Sequence, residues 1–600
     1  MTNRRLLILC TVLLPSVSAL GMTMRAQSAS AGGEPVTLSR DWRRLQVPGM
    51  LVIGNAHDGD LKRTAEEILR FRLAIHQLSP KLRMDSPIPM VVVVFRDDQA
   101  LTRFKPRSKG KPIDHVAAYF SSLPDINYIV LAPSDNRDFT YRVIFHEYTH
   151  FLVENSTPRL PRWLDEGIAE FFSTFNGSEH DGRTFIGRVI PEHHMLLQTS
   201  RLVPLKEFID PSALARMLRD EPSTQRFYAQ SWALTHYLIL GEKAAYQPKL
   251  RLFMNAMQSG EAEEQAFART VNSDLVALDR GFRNYIYSAA LPAARLPNVT
   301  LKIDEKIEPL AEADAQQVQA DLLVRFGAFE EAEKHLTKAL ALDAKHIGAR
   351  LSRARQLAGQ NRFDDALDLL RAPDLDVAKD FPVTFLKAEV LRAAERFQES
   401  IPIYQAAVSK RPDSAPAYFG LSLSQLALKR AADATASFYR CLALRPDPSW
   451  YYARLQATQR LGLDTFVVID AANYVRQAGW QDTASPYAMY IAALTSMRAK
   501  NADQATKILD DITANIDARS WQATIVEYLG GRLSADTFLK KASPEELLTE
   551  AHAYIGIKAH IDGDQATALQ HLQWVKEKGR RDYTEYGLAL AELDRIEHEP

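Results

Sequence analysis

The sequence predicts a mixed α+β domain in the N-terminal half of the chain and an all-α solenoid behind it. Short β-branched runs, Met50–Ile53, Met90–Phe95 and Tyr128–Leu131, precede a long stretch in which apolar residues recur at helical spacing. Strands first and helices afterwards is the order of an α+β domain. Beyond residue 312, small residues recur every 34 positions, which marks a helical repeat array.

At 600 residues the chain is too long for a single core. Hydrophobic residues at 46% and charged residues at 24% are ordinary for folded soluble protein, and exclude disorder or membrane classes for the whole chain. The 73 basic side chains against 74 acidic ones leave a net charge of −1. That balance gives no electrostatic reason to expect nucleic acid or an anionic membrane as a partner.

Residues 1–31 read as a signal peptide and leader. Arg4 and Arg5 precede an apolar run from Leu6 to Leu14, with small residues at Val17, Ser18 and Ala19 and again at Ala29-Ser30-Ala31. The run is short for a membrane span, so cleavage, export to a periplasmic or secreted location and no stable span afterwards are expected. Leu7-Ile8-Leu9-Cys10 lies too near the start to serve as a lipidation box. Loss of Cys10 with the leader leaves Cys441 alone, so no internal disulfide forms in the mature chain. Cys441 shares a register with Ala339 and Ala407 and is expected as a packed thiol.

The α+β domain is expected over residues 36–295, with Leu61–Gln77 as a helix on its apolar spacing through Ala65, Ile68, Leu69, Phe71 and Leu73. Residues 296–312, with Pro297 and Pro309, read as a linker. Three registers then repeat: Ala332, Ala366, Ser400 and Ala434; Ala320, Ala354, Ala388 and Ser422; and the large apolar set Leu336, Leu370, Tyr404 and Phe438. Pro412 and Pro446 close two units. This period is that of tetratricopeptide repeats, and it implies four units over 313–446. Divergent repeats are expected over 447–600, where the pattern returns at Ala493, Ala505 and Leu509 and at Gly556, Ala568 and Leu572. About six units and one more divergent one follow, forming a solenoid whose groove recruits a protein partner.

His146-Glu147-Tyr148-Thr149-His150 is a His-Glu-x-x-His motif. On a helix its histidines stand one turn apart on one face and can hold one zinc ion through neutral imidazoles, with Glu147 on the adjoining face. The surrounding Val143, Ile144, Phe145, Phe151 and Leu152 predict a buried helix, with N-cap choices at Ser134-Asp135-Asn136. Pro161 to Phe171 predicts a second helix, with Leu164, Ile168 and Phe171 as its buried stripe. Glu166 and Glu170 are also one turn apart, and two acids on an apolar helix need a cationic partner. Gly167 inside this helix hints at a close helix contact.

A His-Glu-x-x-His helix followed by Trp163-Leu164-Asp165-Glu166-Gly167-Ile168-Ala169 resembles the gluzincin metallopeptidases, especially their M1-aminopeptidase-like branch. Bacterial proteins that join such a domain to tetratricopeptide repeats resemble the whole layout. The resemblance implies a zincin-like catalytic domain with one zinc ion per chain. His146, His150 and Glu166 would be ligands, Glu147 the general base, and Glu170 the acid that orients the first histidine. Tyr228, in Tyr228-Ala229-Gln230-Ser231-Trp232, matches the tyrosine that stabilises the tetrahedral intermediate, and a core tyrosine remains the alternative. His236 is a further candidate two turns on, whereas His193 and His194 read as surface or loop residues.

The sequence departs from that family at the substrate. The Gly-x-Met-Glu-Asn segment that grips a peptide's amino terminus is absent, so aminopeptidase activity is not implied. Residues 117–131 offer an edge-strand region without that glutamate. The expected activity is zinc-dependent hydrolysis of a peptide or protein substrate. The competing expectation is a lapsed peptidase fold that serves the repeats as a binding scaffold.

Overall fold

The computed structural model describes residues 37–598, except for 79–83, 85–87, 109–110, 114–115, 117, 123–125, 134–136, 157–159, 178–183, 211–216, 219–220, 259–260, 262, 273, 289, 298–300, 372–374, 376–379, 446, 461–462, 481, 543–546 and 581–582. The expected leader and the Ser134–Asn136 cluster lie outside the described residues. No helix among the described residues is long and apolar enough to cross a membrane. The chain divides into two compact units, one of Met1–Ile209 with Met217–Pro446, the other of Asp447–Pro600 with Asp210–Arg216.

The first unit begins with a six-stranded sheet: β1 (Leu38–Val47), β2 (Met50–Gly54), β3 (Met90–Val94), β4 (Ala118–Ser122), β5 (Asn127–Leu131) and β6 (Glu308–Ala311), in the order β6-β1-β2-β3-β5-β4. The β2–β3 and β3–β5 pairs are parallel and the others antiparallel. Strand β3 is a continuous apolar run because both its faces are covered. Val92 and Val94 meet helix α1 (Asp58–Leu78) and helix α2 (Arg137–Ser156) on one side, while Val91 and Val93 belong to a second core on the other.

That second core is closed by the first repeat helix, α6 (Glu312–Arg325), through Ala315, Val318 and Leu322. The expected linker is therefore corrected, since described residues within 296–312 are built into the fold. Leu296 ends a strand that pairs with Thr184–Ile186, Ile303 is buried in the first core, and β6 pairs with β1. Pro309 misled because proline is tolerated on an edge strand, where its missing N–H faces away from the sheet.

Between the sheet and the repeats lie α3 (Arg162–Ser173), α4 (Pro191–Thr199) and α5 (Glu221–Leu240). The repeats continue from α6 through α7 (Phe329–Leu342), α8 (Ile347–Gly359), α9 (Phe363–Leu370), α10 (Phe381–Ala393), α11 (Phe397–Lys410), α12 (Ala415–Ala427) and α13 (Ala431–Leu444). All twelve residues of the three 34-residue registers have zero exposure. Small members allow close helix approach and large ones fill the space beside them. The turns inside the pairs repeat as well: Gly327, Asn361, Glu395 and Lys429 all take φ between 58° and 70°. Cys441 is fully buried and forms no disulfide.

The second unit is all helical among its described residues. It comprises α14 (Ser449–Arg460), α15 (Asp464–Ala478), α16 (Ser485–Arg498), α17 (Ala502–Asn515), α18 (Trp521–Leu529), α19 (Ala535–Lys541), α20 (Leu548–Ile561), α21 (Gln565–Lys578) and α22 (Thr584–His598). Two pairs, α14/α15 and α18/α19, stand where one divergent unit was expected. The second of them is short, at 9 and 7 residues, which breaks the period that sequence reading follows.

Candidate metal centre

Helix α2 buries Phe145, Tyr148 and Leu152 against the sheet and α1, with Phe145 stacked on Phe71 at 4.3 Å. The other side of the same turns carries His146 and His150 toward α3. Helix α3 enters from Pro161 and buries Trp163, Leu164, Ile168 and Phe171 together with Glu166. It can lie close to α5 because residue 167 is glycine. A Cβ there would stand 2.0 Å from Thr235 Oγ1 and 2.4 Å from the Ser231 carbonyl oxygen.

The two helices bring three ligand-type atoms together. His146 Nε2 and His150 Nε2 are 3.1 Å apart, and each is 3.3 Å from Glu166 Oε2. Donors placed ~2.05 Å from one tetrahedral ion stand ~3.3 Å from each other, so the spacing fits a single small divalent cation. Glu166 is 1% exposed, and its Oε2 has no hydrogen-bond partner among the described residues. Leaving a buried carboxylate oxygen unpaired is costly, and a cation at this point removes the cost. Among the described residues, this trio is the group of histidines and acids close enough to hold a metal.

The outer atoms of the trio are also engaged. His150 Nδ1 is 3.2 Å from Asp165 Oδ1, and His146 Nδ1 is 3.5 Å from Glu170 Oε1. A carboxylate facing Nδ1 keeps the proton there and leaves the Nε2 lone pair pointing inward. Glu166 Oε1 accepts from Arg162 Nη2 at 2.6 Å. Burial alone would lower the pKa of both imidazoles. It is outweighed by Glu170 and Glu166 at His146, and by Asp165 and Glu166 at His150, which is pushed up to about 11. Burial would raise Glu166, but Arg162 and the two histidines hold it well below the ordinary carboxylate range. Such a carboxylate-rich pocket retains protons or a divalent cation, and at neutral pH the two compete.

Glu147 is half-buried on α2, and its side chain makes no hydrogen bond or ion pair among the described residues. Tyr228, on α5, has its ring 6.4 Å from that of His146. Burial first, then the Glu166 charge, raises its pKa, so the phenol keeps its proton and can donate it in a hydrogen bond. His236 is not part of the centre. It is fully buried between Tyr285 Oη at 2.8 Å and the Gly187 carbonyl at 2.7 Å, and burial lowers its pKa to about 4. His193 and His194 are helical rather than loop residues. His193 Nε2 stands 3.5 Å from Glu170 Oε1, and His194 Nε2 donates to the Ile286 carbonyl at 2.8 Å.

Sequence reasoning gave no role to Arg162, Asp165 or His193. The one-turn spacing of Arg162 and Glu166 was available as a signal. His193 offered none, because only the packing of α4 brings it to Glu170.

Residues 142–253 match a family model described as a protein of unknown function, DUF1570. That span begins within α2 and contains all the residues of the centre. Residues 323–389 and 385–448 match two tetratricopeptide-repeat models. A search of curated proteins finds no match. The chain thus carries tetratricopeptide repeats behind a sheet-and-helix region whose His146–His150–Glu166 cluster lies inside the DUF1570 match.

Proposed function

We propose that this chain is an exported zinc peptidase of the gluzincin type, with repeats that recruit its protein substrate or partner. The observation that carries the reading is the convergence of His146 Nε2, His150 Nε2 and a buried Glu166 oxygen, otherwise unpartnered among the described residues, within 3.3 Å of one another. The His-Glu-x-x-His spacing and the Trp-Leu-x-Glu-Gly helix support it, and the leader supports export.

His146, His150 and Glu166 would hold the ion. Zinc, when bound, supplies Lewis acidity, which polarises a carbonyl and makes water a nucleophile near neutral pH. Glu147, with no competing side-chain partner among the described residues, takes a proton from the attacking water and returns it to the departing amine as the C–N bond breaks. The Tyr228 hydroxyl donates to the oxygen on which negative charge develops. Arg162 fixes the Glu166 carboxylate, while Asp165 and Glu170 fix the imidazole rings. Strand β4, last in the sheet beside α2, offers backbone groups to an extended peptide.

Metal analysis of the purified full chain tests the reading, with one zinc per chain expected. Glu166→Ala loses the zinc. Glu147→Gln keeps it, yet cleaves a peptide library at least ~100-fold more slowly. Wild type without zinc, or Glu166→Ala with it, overturns the assignment, and equal cutting by wild type and Glu147→Gln exposes a contaminating protease. The second reading, a scaffold without chemistry, draws on the repeat matches, since such repeats suggest protein–protein interaction. It requires a zinc-free wild type.

A further inference from the structure

In the second unit, helix α22 does not stop at the pair it follows in sequence. Its Glu592 meets Arg498 of α16, 94 residues earlier, with 2.7 and 2.8 Å bonds from Nη2 to the two carboxylate oxygens. The same carboxylate takes His560 Nδ1 of α20 at 2.6 Å. One turn further, Arg595 Nη2 donates to the Gln459 carbonyl of α14 at 2.5 Å. Two turns back, Glu585 Oε1 accepts from the Tyr554 hydroxyl of α20 at 2.9 Å. Leu588, Ala589, Leu593 and Ile596 are buried on the same face. Helix α22 therefore packs on both helices of the pair it follows, α20 and α21, and also reaches the first helices of two earlier pairs, α14/α15 and α16/α17. A helix that only capped the end of the array would touch the last pair alone.

We propose that the face which α14, α16 and α20 turn toward α22 is a binding groove for an acidic amphipathic helix, and that α22 is the chain's own occupant of it. The recognition chemistry is visible in the complex the chain makes with itself. A fully buried carboxylate receives three charge-assisted bonds from a guanidinium and an imidazole, a polar address that an apolar helix could not satisfy. A competing partner needs a carboxylate at the place of Glu592, a carboxyl group two turns earlier to accept from Tyr554, where burial and Glu550 disfavour the charged form, and aliphatic residues beside them. Because α22 is tethered, it competes at an effective concentration of order millimolar, so the groove is closed unless a tighter helix displaces it. This rests on the reading of the repeats as a recruiting surface and is independent of the metal, so its failure leaves the zinc assignment untouched.

The test keeps the full chain. A site-specific protease sequence is inserted between Arg580 and Tyr583, the connection is cut, and a fluorescein-labelled peptide of residues 583–598 is added. The cut protein is expected to keep its helicity and to take up the label by exchange, read as a rise in anisotropy that excess unlabelled peptide reverses. The uncut chain takes up little. A Glu592→Ala peptide should compete roughly tenfold less well or worse. No exchange overnight into folded, cut protein would make α22 a fixed part of the fold and overturn the proposal. So would unfolding on cutting, because a displaceable ligand leaves its receptor folded, and so would equal competition by the Glu592→Ala peptide.

Discussion

Asp165 and Glu170 each face the outer nitrogen of one imidazole, so ring orientation at the centre depends on two carboxylates that would not themselves touch the ion. Asp165→Asn keeps the shape but removes the charge that holds the His150 proton at Nδ1. We expect zinc affinity to fall ~10- to 100-fold, measured by competition with a chelator, with the circular dichroism spectrum unchanged. Part of the centre was legible because helical spacing is local: His146 with His150, and Glu166 with Glu170, are one-turn pairs. Asp165 was not, since its neighbour on the chain already had a role and only the crossing of α2 and α3 aims it at His150. His236 shows the reverse error. It sits on the same helix as Tyr228, but full burial and two hydrogen bonds make it a neutral core residue.

The α3–α5 contact depends on Gly167. Gly167→Ala would push a methyl group into the Ser231 carbonyl, which is backbone and cannot turn aside. The expected loss is ~1–3 kcal/mol, seen as a lower thermal midpoint, together with weaker zinc binding as Glu166 shifts. The repeats were the most legible elements, because their buried positions recur at one spacing on helices of similar length. Their turns were only half legible. Gly327 and Asn361 are residues that favour positive φ, whereas Glu395 and Lys429 take it with no such preference, held by the packing of each pair. Strand β1 escaped notice for another physical reason. Its pairing with β6 shifts register between Leu38 and Arg43, and the bulge spoils the alternation by which a strand is recognised.

Across the first unit, the sheet and the repeats are joined by charge as well as by apolar packing. Asp321 of α6 is bonded to Arg325 at 3.0 Å and to Arg355 of α8 at 2.9 Å, and Arg325 lies 4.5 Å over the Tyr128 ring of β5. Burial would raise the Asp321 carboxyl, but the two guanidinium groups prevail and pull it down to about 2. A folded pKa below the unfolded value of 3.8 gives stability that is full above pH ~4 and lost as pH falls toward 2, of order 2 kcal/mol. Asp321→Asn should remove that part of the acid sensitivity and lower stability at pH 7 by a similar amount, read from urea unfolding at pH 7, 4 and 2.5. The two kinds of fold were legible from composition and period. Their joint was not, because prolines and polar residues at 296–312 look the same in a tether and in an edge strand.

Where α6 lies decides how this chain can be shortened. A polypeptide stopped at residue 296 would turn Val91, Val93, Tyr128 and Val130 toward water, a nonpolar panel in the middle of the sheet. Such a fragment should aggregate on expression, whereas one carried through Leu444 should elute as a monomer on size-exclusion chromatography. The smallest piece of this protein that can be studied alone therefore carries the first repeat helices with it.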